Sequence, residues 1–299
     1  MTAYRTSLAI ASARPPRRRT PVSFGGAARK LFSIALIVLL LVVEIYPLFW
    51  LFASSFKTQN EFVGRPAWSL PSALDWQNYY DALVTANIGQ NILNSAIATA
   101  PSLAMIIVFG TAAGFALEVM VFRGRNAILL TFLIGIMIPG QMILLPLFSA
   151  YFQLGLTGTL WPLIITYTAT GMPLTVFMMA TFFRAIPKEV FEAAAIDGAG
   201  MLRAFIAIGF PMVRNAIFTV ALVQFFFIWN DLLIAITFNN SSALGTIQVG
   251  LLNFSGQYGA TQYGPLFAAI CVNVVGILAI YLFLNQRIMR GLAAGSVKG

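Results

Sequence analysis

An all-α integral membrane protein with six transmembrane helices is the fold class this 299-residue chain predicts, and three observations carry it. Hydrophobic residues make up 59% of the sequence and charged residues 9%, against roughly 25% charged in soluble domains. Apolar stretches at 31–53, 96–117, 127–148, 160–183, 216–238 and 265–284 are each near the ~20 residues a helix needs to cross a hydrocarbon core. The basic residues, finally, are concentrated in alternate connections. Since unpaired backbone is not tolerated in lipid, all six stretches are expected to be helices.

Residues 1–30 hold seven basic residues and no acidic one. The run Arg14-Pro15-Pro16-Arg17-Arg18-Arg19 has no apolar surface to bury and reads as a disordered cytoplasmic tail. An acid-free start also resembles a transit peptide, but membrane topology accounts for the same charges. The stretch 31–53 exceeds the ~7–15-residue core of a cleaved signal, so an uncleaved first span is expected, with Glu44 and Pro47 toward its outer end. The connection 54–93 carries Trp68, Trp76, Tyr79 and Tyr80, aromatics that favour the membrane–water boundary. In the second span, Gly110 and Gly114 form a small-xxx-small pair that admits a close neighbour. Arg123 and Arg125 follow. The third span is interrupted by Pro139-Gly140-Gln141 and by Pro146, and the fourth holds Pro173; these mark kinks. A polar loop at 239–264 precedes the sixth span, which ends at Arg287 and Arg290.

With both termini in the cytoplasm, the cytoplasmic segments hold 16 of the 18 basic residues, all but Lys57 and Arg65. The positive-inside rule favours this arrangement, so the net charge of +9 speaks for topology and not for nucleic acid.

The same rule places 186–211, between spans four and five, in the cytoplasm. It is a charged island with Lys188, Glu189, Glu192, Asp197 and Arg203, and Arg184 just before it. Pro187 suits a first helical turn, and Ala193, Ala194 and Ala195 favour helix with almost no side-chain bulk. Asp197-Gly198 supplies a turn, and a second short helix is expected from Met201 toward Pro211. By residue physics alone this helix–turn–helix is either a connector or a docking surface.

Glu192-Ala193-Ala194, three residues, Gly198, nine residues and Ile208-Gly209-Phe210-Pro211 resemble the "EAA" loop of ABC-importer permeases, with Phe210 in place of that pattern's leucine. Pro139-Gly140-Gln141, Trp229-Asn230-Asp231 and the ending Gly295-Ser296-Val297-Lys298-Gly299 are similar to the carbohydrate-uptake branch, specifically its maltose-type second permease subunit; Ser296 departs from the usual alanine. The likeness covers about 30–299, with a permease core about 90–290. It implies a bacterial-type inner-membrane protein that imports a sugar or oligosaccharide. The partners it implies are a second permease subunit, two cytoplasmic ATP-binding subunits and an extracytoplasmic solute-binding protein. Under the resemblance, Glu192, Ala193, Ala194, Asp197 and Gly198 form the coupling helix that docks on an ATPase subunit.

The remaining chemistry is sparse. There is no histidine, and the single Cys271 lies in an apolar run, which excludes internal disulfides and the usual zinc sites. No G-x4-G-K-[ST] occurs, so ATP and Mg would be bound by the partner subunits, and no cofactor is expected in this chain. Glu44 and Asp231 are read as the only acidic groups in or near spans, and such groups usually face a cavity or a partner. Candidates for the translocation path are Gln224, Asn230, Asp231 and Asn273, each with a structural alternative as an interhelical or local hydrogen-bonding group. A stand-alone secondary transporter is the main rival, but no inverted repeat is evident. An ABC permease for a non-sugar solute is another. No catalytic constellation can be assembled.

Overall fold

A computed structural model describes residues 24–239, 241, 243–255 and 261–295, with side chains described within 29–282 of that set. Most of the expected basic tail, the side chains of Arg287 and Arg290, and the ending 296–299 lie outside the described residues. Residues up to Phe49 form one unit and those from Trp50 a second. The first unit's described part is the body of helix α1 (Phe24–Ser54), which starts seven residues before the apolar run, so 24–30 are helical.

From Trp50 onward the fold is helical throughout, and among the described residues the only β pairing is an isolated bridge between Ser255 and Thr261. Helices α2 (Gln59–Gly64) and α3 (Gln77–Tyr80) lie in the first connection. They are followed by α4 (Ile88–Val119), α5 (Arg125–Met137), α6 (Leu144–Gln153) and α7 (Trp161–Arg184). Next come α8 (Lys188–Ile196), α9 (Met201–Ala204) and α10 (Phe210–Trp229). The chain closes with α11 (Leu233–Phe238), α12 (Ile247–Leu252) and α13 (Tyr263–Gly295). Among the described residues five helices are long and apolar enough to span a membrane, and the pair α5–α6 makes a sixth if counted as one.

Two spans differ from expectation. The third is bent by 93° between α5 and α6, a break rather than a kink, where Pro139 lacks an N–H and Gly140 opens a tight turn. The fifth is shifted: instead of 216–238, it runs from Met201 to Trp229 and breaks at 230–232 before α11. The expected second arm of the 186–211 loop is therefore continuous with this span. A widened π turn, Phe205–Gly209, sits just before Pro211, whose missing N–H disrupts the regular ladder there.

In lipid, helix association rests on close packing rather than on escape from water. The pair Gly110 and Gly114 supplies it: a Cβ at Gly110 would collide with the Thr175 side chain, and one at Gly114 would lie 2.9 Å from the backbone of Ala180. Helix α4 accordingly packs along α7. Gly135 of α5 likewise lies against Pro173 of α7.

At the start of α4, buried amides fasten the loop before α12. Asn94 Nδ2 donates to the carbonyls of Ala243 (2.9 Å) and Gly245 (3.1 Å), Asn91 Nδ2 to that of Thr246 (3.1 Å), and Ser95 Oγ accepts the N–H of Ile247 (2.8 Å). Nearby, Asn78 Nδ2 donates to the carbonyls of Ser55 and Lys57. Each such bond contributes on the order of 1 kcal/mol net, and leaving a buried partner unmet costs more. The two basic residues that break the charge pattern are tied down here. Lys57 is 1% exposed, donates to the carbonyl of Ala67 at 3.0 Å and lies over the Phe62 ring; burial lowers its pKa. Arg65 pairs with Glu61 at 3.0 Å. Glu61 also accepts from Ser72 Oγ (2.7 Å), the Ser72 N–H (2.9 Å) and the Thr58 N–H (3.0 Å). Those bonds, Ser72's hydroxyl foremost, hold its carboxyl at about 2.

Candidate functional site

The loop 186–211 is built at the other end of α4. Helix α8 begins after Pro187, which caps it with an extended backbone instead of occupying its first turn. It ends in a Schellman arrangement. The Gly198 N–H donates to the carbonyl of Ala195 (3.0 Å) and the Ala199 N–H to that of Ala194 (2.9 Å), with Gly198 at φ +77°. Only glycine takes that conformation at no steric cost, and this is the physical reason for Gly198.

The helix has two faces. Phe191 and Ala194 are buried, three residues apart on one side. Phe191 meets the Phe115 ring edge-on at 5.6 Å, and Phe183 and Phe205 reach the same ring at 5.4 and 5.1 Å. One aromatic of α4 thus gathers α7, α8 and the turn before α10 into one cluster with Met179, Val213, Ile217 and Val220. On the other side Glu189, Glu192, Ala193, Ala195 and Asp197 are exposed. Ala194, at 6% exposure, belongs to the anchoring face, so only part of the alanine run faces outward. Among the described residues the ion pairs lie elsewhere, leaving Glu192 and Asp197 without one. Ile196, 87% exposed, and the exposed Met201 and Leu202 flank the turn. Sequence reading passed over this apolar rim, although its signal was present: three large aliphatics beside charges in a loop.

A second unannounced feature is Glu118, near the end of α4, which accepts from Arg184 Nε (3.1 Å) and Nη2 (2.9 Å) at the end of α7. Glu44 and Asp231 are therefore not the only acidic groups within or near spans.

The four path candidates separate. Gln224 is buried and donates to the carbonyl of Gly171 (3.0 Å) and to Thr175 Oγ1 (2.9 Å), joining α10 to α7. Asn273 accepts from Trp229 Nε1 at 2.9 Å, joining α13 to α10. Asn230 is exposed and donates to its own helix at Phe226. Asp231 Oδ2 accepts the Tyr167 hydroxyl (3.0 Å) and the Ala235 N–H (3.1 Å) at the break before α11. Gln224 and Asp231 border a cleft of about 510 Å³ among α5, α7 and α10; Asn230 and Asn273 do not. Among the described residues no cluster of three His, Cys, Asp or Glu side chains is placed to hold a metal.

Known proteins with this pattern are numerous. A family model described as "Binding-protein-dependent transport system inner membrane component" matches residues 106–290. The diacetylchitobiose uptake system permease protein NgcG of Streptomyces coelicolor is 36% identical over 267 residues, 89% of this chain and 88% of that one. The melibiose/raffinose/stachyose import permease protein MelC of Bacillus subtilis is 31% identical over 254 residues, 85% and 91% of the two chains. Among solved structures, a bacterial ABC transporter involved in the import of the acidic polysaccharide alginate matches with a TM-score of 0.76 over 89% of this chain and 99% of that one. At 19% identity this last likeness speaks for the fold alone.

Proposed function

This chain belongs to the family of inner-membrane components of binding-protein-dependent transport systems, and on that premise we propose that it couples sugar import to ATP hydrolysis in partner subunits through its 186–211 loop. It is a multi-pass inner-membrane permease subunit of an ABC importer. The observation that carries the coupling reading is the two-faced α8, anchored through Phe191 and Ala194 while Glu192, Ala193 and Asp197 stand free beside an apolar rim. Such a surface, firmly mounted and without an ion pair among the described residues, fits a groove on a cytoplasmic protein. Exposed carboxylates give register, and the aliphatics give buried area.

The saccharides named for the relatives NgcG and MelC support a sugar or oligosaccharide as the cargo. In this reading ATP and Mg are bound by two ATPase subunits at the 186–211 end, which the missing P-loop in this chain supports, and a solute-binding protein, which the family description supports, acts at the other. A second permease completes the pathway. Both termini and the loop lie in the cytoplasm in this reading, which the distribution of basic residues supports. The stand-alone transporter has no observation in its favour.

Gly198→Asp tests the coupling. Nothing lies within 4 Å of a Cβ built at Gly198, so folding and membrane insertion should survive. The left-handed turn and the charge balance beside Asp197 should not. In the reconstituted importer, uptake and sugar-stimulated ATP hydrolysis are expected to vanish; normal hydrolysis would overturn the assignment. A cysteine at the exposed Ala193 should also cross-link to an ATPase subunit.

A further inference from the structure

We propose that the cleft among α5, α7 and α10 is a saccharide subsite of this subunit, in which Asp231 accepts sugar hydroxyls and selects neutral over acidic sugars. The proposal rests on the sugar-import reading and extends it to where the cargo touches this chain and to its charge class.

Four observations converge on the cleft. Its volume, about 510 Å³, suits a small ligand. It lies beside both helix breaks, at 138–140 and at 230–232, and irregular backbone is tolerated at membrane depth only where it is buried or lines a cavity. Its lining is mostly apolar with few polar groups, namely Tyr167, Thr170, Gln224 and Asp231. Phe227, 64% exposed, borders it and offers a ring face to the C–H face of a pyranose.

Charge then narrows the class. Asp231 is the one ionisable acid in the lining and no lysine or arginine joins it. The bonds from Tyr167 and Ala235 both reach Oδ2 and fix the carboxylate, while an ionised carboxylate offers about four acceptor positions. With its O–H donated to Asp231, the Tyr167 hydroxyl keeps lone pairs to accept from a second hydroxyl. Donor-rich, uncharged sugars satisfy such a site. A uronate would bring a second carboxylate to it without a cation to offset the repulsion.

The test uses the complete importer reconstituted in proteoliposomes, with Cys271→Ser and Thr170→Cys leaving one thiol at the cleft. A cationic methanethiosulfonate reagent should label it about tenfold faster than an anionic one, the scale of rate gain a charged cleft produces, and Asp231→Asn should erase the difference. Millimolar melibiose or N,N′-diacetylchitobiose should slow labelling and a digalacturonate should not. Asp231→Asn should raise the protecting concentration roughly tenfold, the loss expected for a hydrogen bond to a charged group. Should Asp231→Asn fail to assemble, Phe227→Ala at an exposed ring carries the same expectation. Protection by the digalacturonate equal to that by neutral sugars overturns the selectivity. Neutral-sugar uptake without protection, unchanged by Phe227→Ala, overturns the subsite and leaves the import reading standing. Absence of both uptake and protection for every neutral sugar, with the binding protein present, overturns the two together.

Discussion

Around the start of α4, Asn78, Asn91 and Asn94 direct their amide N–H groups at loop carbonyls, Glu61 accepts a loop N–H, and even the exceptional Lys57 ends on a carbonyl. Around its far end the fastening is a cluster of phenylalanines, while the carboxylates of α8 stand in solvent. The residue types are similar and their uses differ. Polar groups satisfied within the chain hold loops in shape; polar groups mounted on an apolar anchor and left unpaired are available to something else. Exposure after anchoring, more than the presence of charge, separates an interaction surface from a scaffold.

The difference can be broken from either end. The largest stability effect is expected for Phe115→Ala, about 3–5 kcal/mol by analogy with other buried Phe truncations, because three rings rest on Phe115. A thermal-unfolding midpoint close to the parent's would show that the aromatic cluster is not what mounts the loop.

A smaller loss, about 1–3 kcal/mol, is expected for Glu61→Gln, which weakens the bonds from Ser72, Thr58 and Arg65. ATP hydrolysis per assembled complex should stay unchanged. This end also carries a pH dependence of known sign. The Glu61 carboxyl falls from 4.5 to about 2 on folding, so its contribution is present above about 4.5 and is lost as pH falls toward 2. Hydrogen-exchange protection at the Ser72 N–H should decline over that window and lose its pH dependence in Glu61→Gln. A protection profile flat across it would remove Glu61 from this role.

Glu192→Gln should shift the unfolding midpoint least, within about 0.5 kcal/mol as for other surface changes, while reducing coupled hydrolysis. Equal effects on stability and coupling would erase the distinction between the two ends.

Much of this was legible from the residues. Membrane class, the small-residue seam of Gly110 and Gly114, and the turn at Gly198 each follow from a local rule, and each stands in the structure. What was not legible is what hydropathy cannot register. Pro139-Gly140 marked where span three is interrupted, but the right angle there joins two apolar halves, so its size leaves no trace in hydropathy. The shifted fifth span has the same cause, although Asn230-Asp231 marked the place where its helix ends. Burial of Ala194 beside exposed Ala193 depends on which face meets Phe115, a distant residue. The Lys57 and Glu61 contacts run to loop backbone, whose hydrogen-bonding groups are the same at every position and leave no trace in side-chain pattern.

The helical run from Met201 to Trp229, continuous through its π turn, has a mechanical consequence. The second arm of the loop and a wall of the cleft are two ends of one beam of 29 residues, about 43 Å long at ~1.5 Å per residue. A beam of that length multiplies small rotations: about 5° of tilt at Met201 carries Trp229 through about 4 Å, roughly the rise of two to three residues along a helix. A rocker arm of these proportions lets a push on the loop be felt at the cleft with no change inside the helix itself.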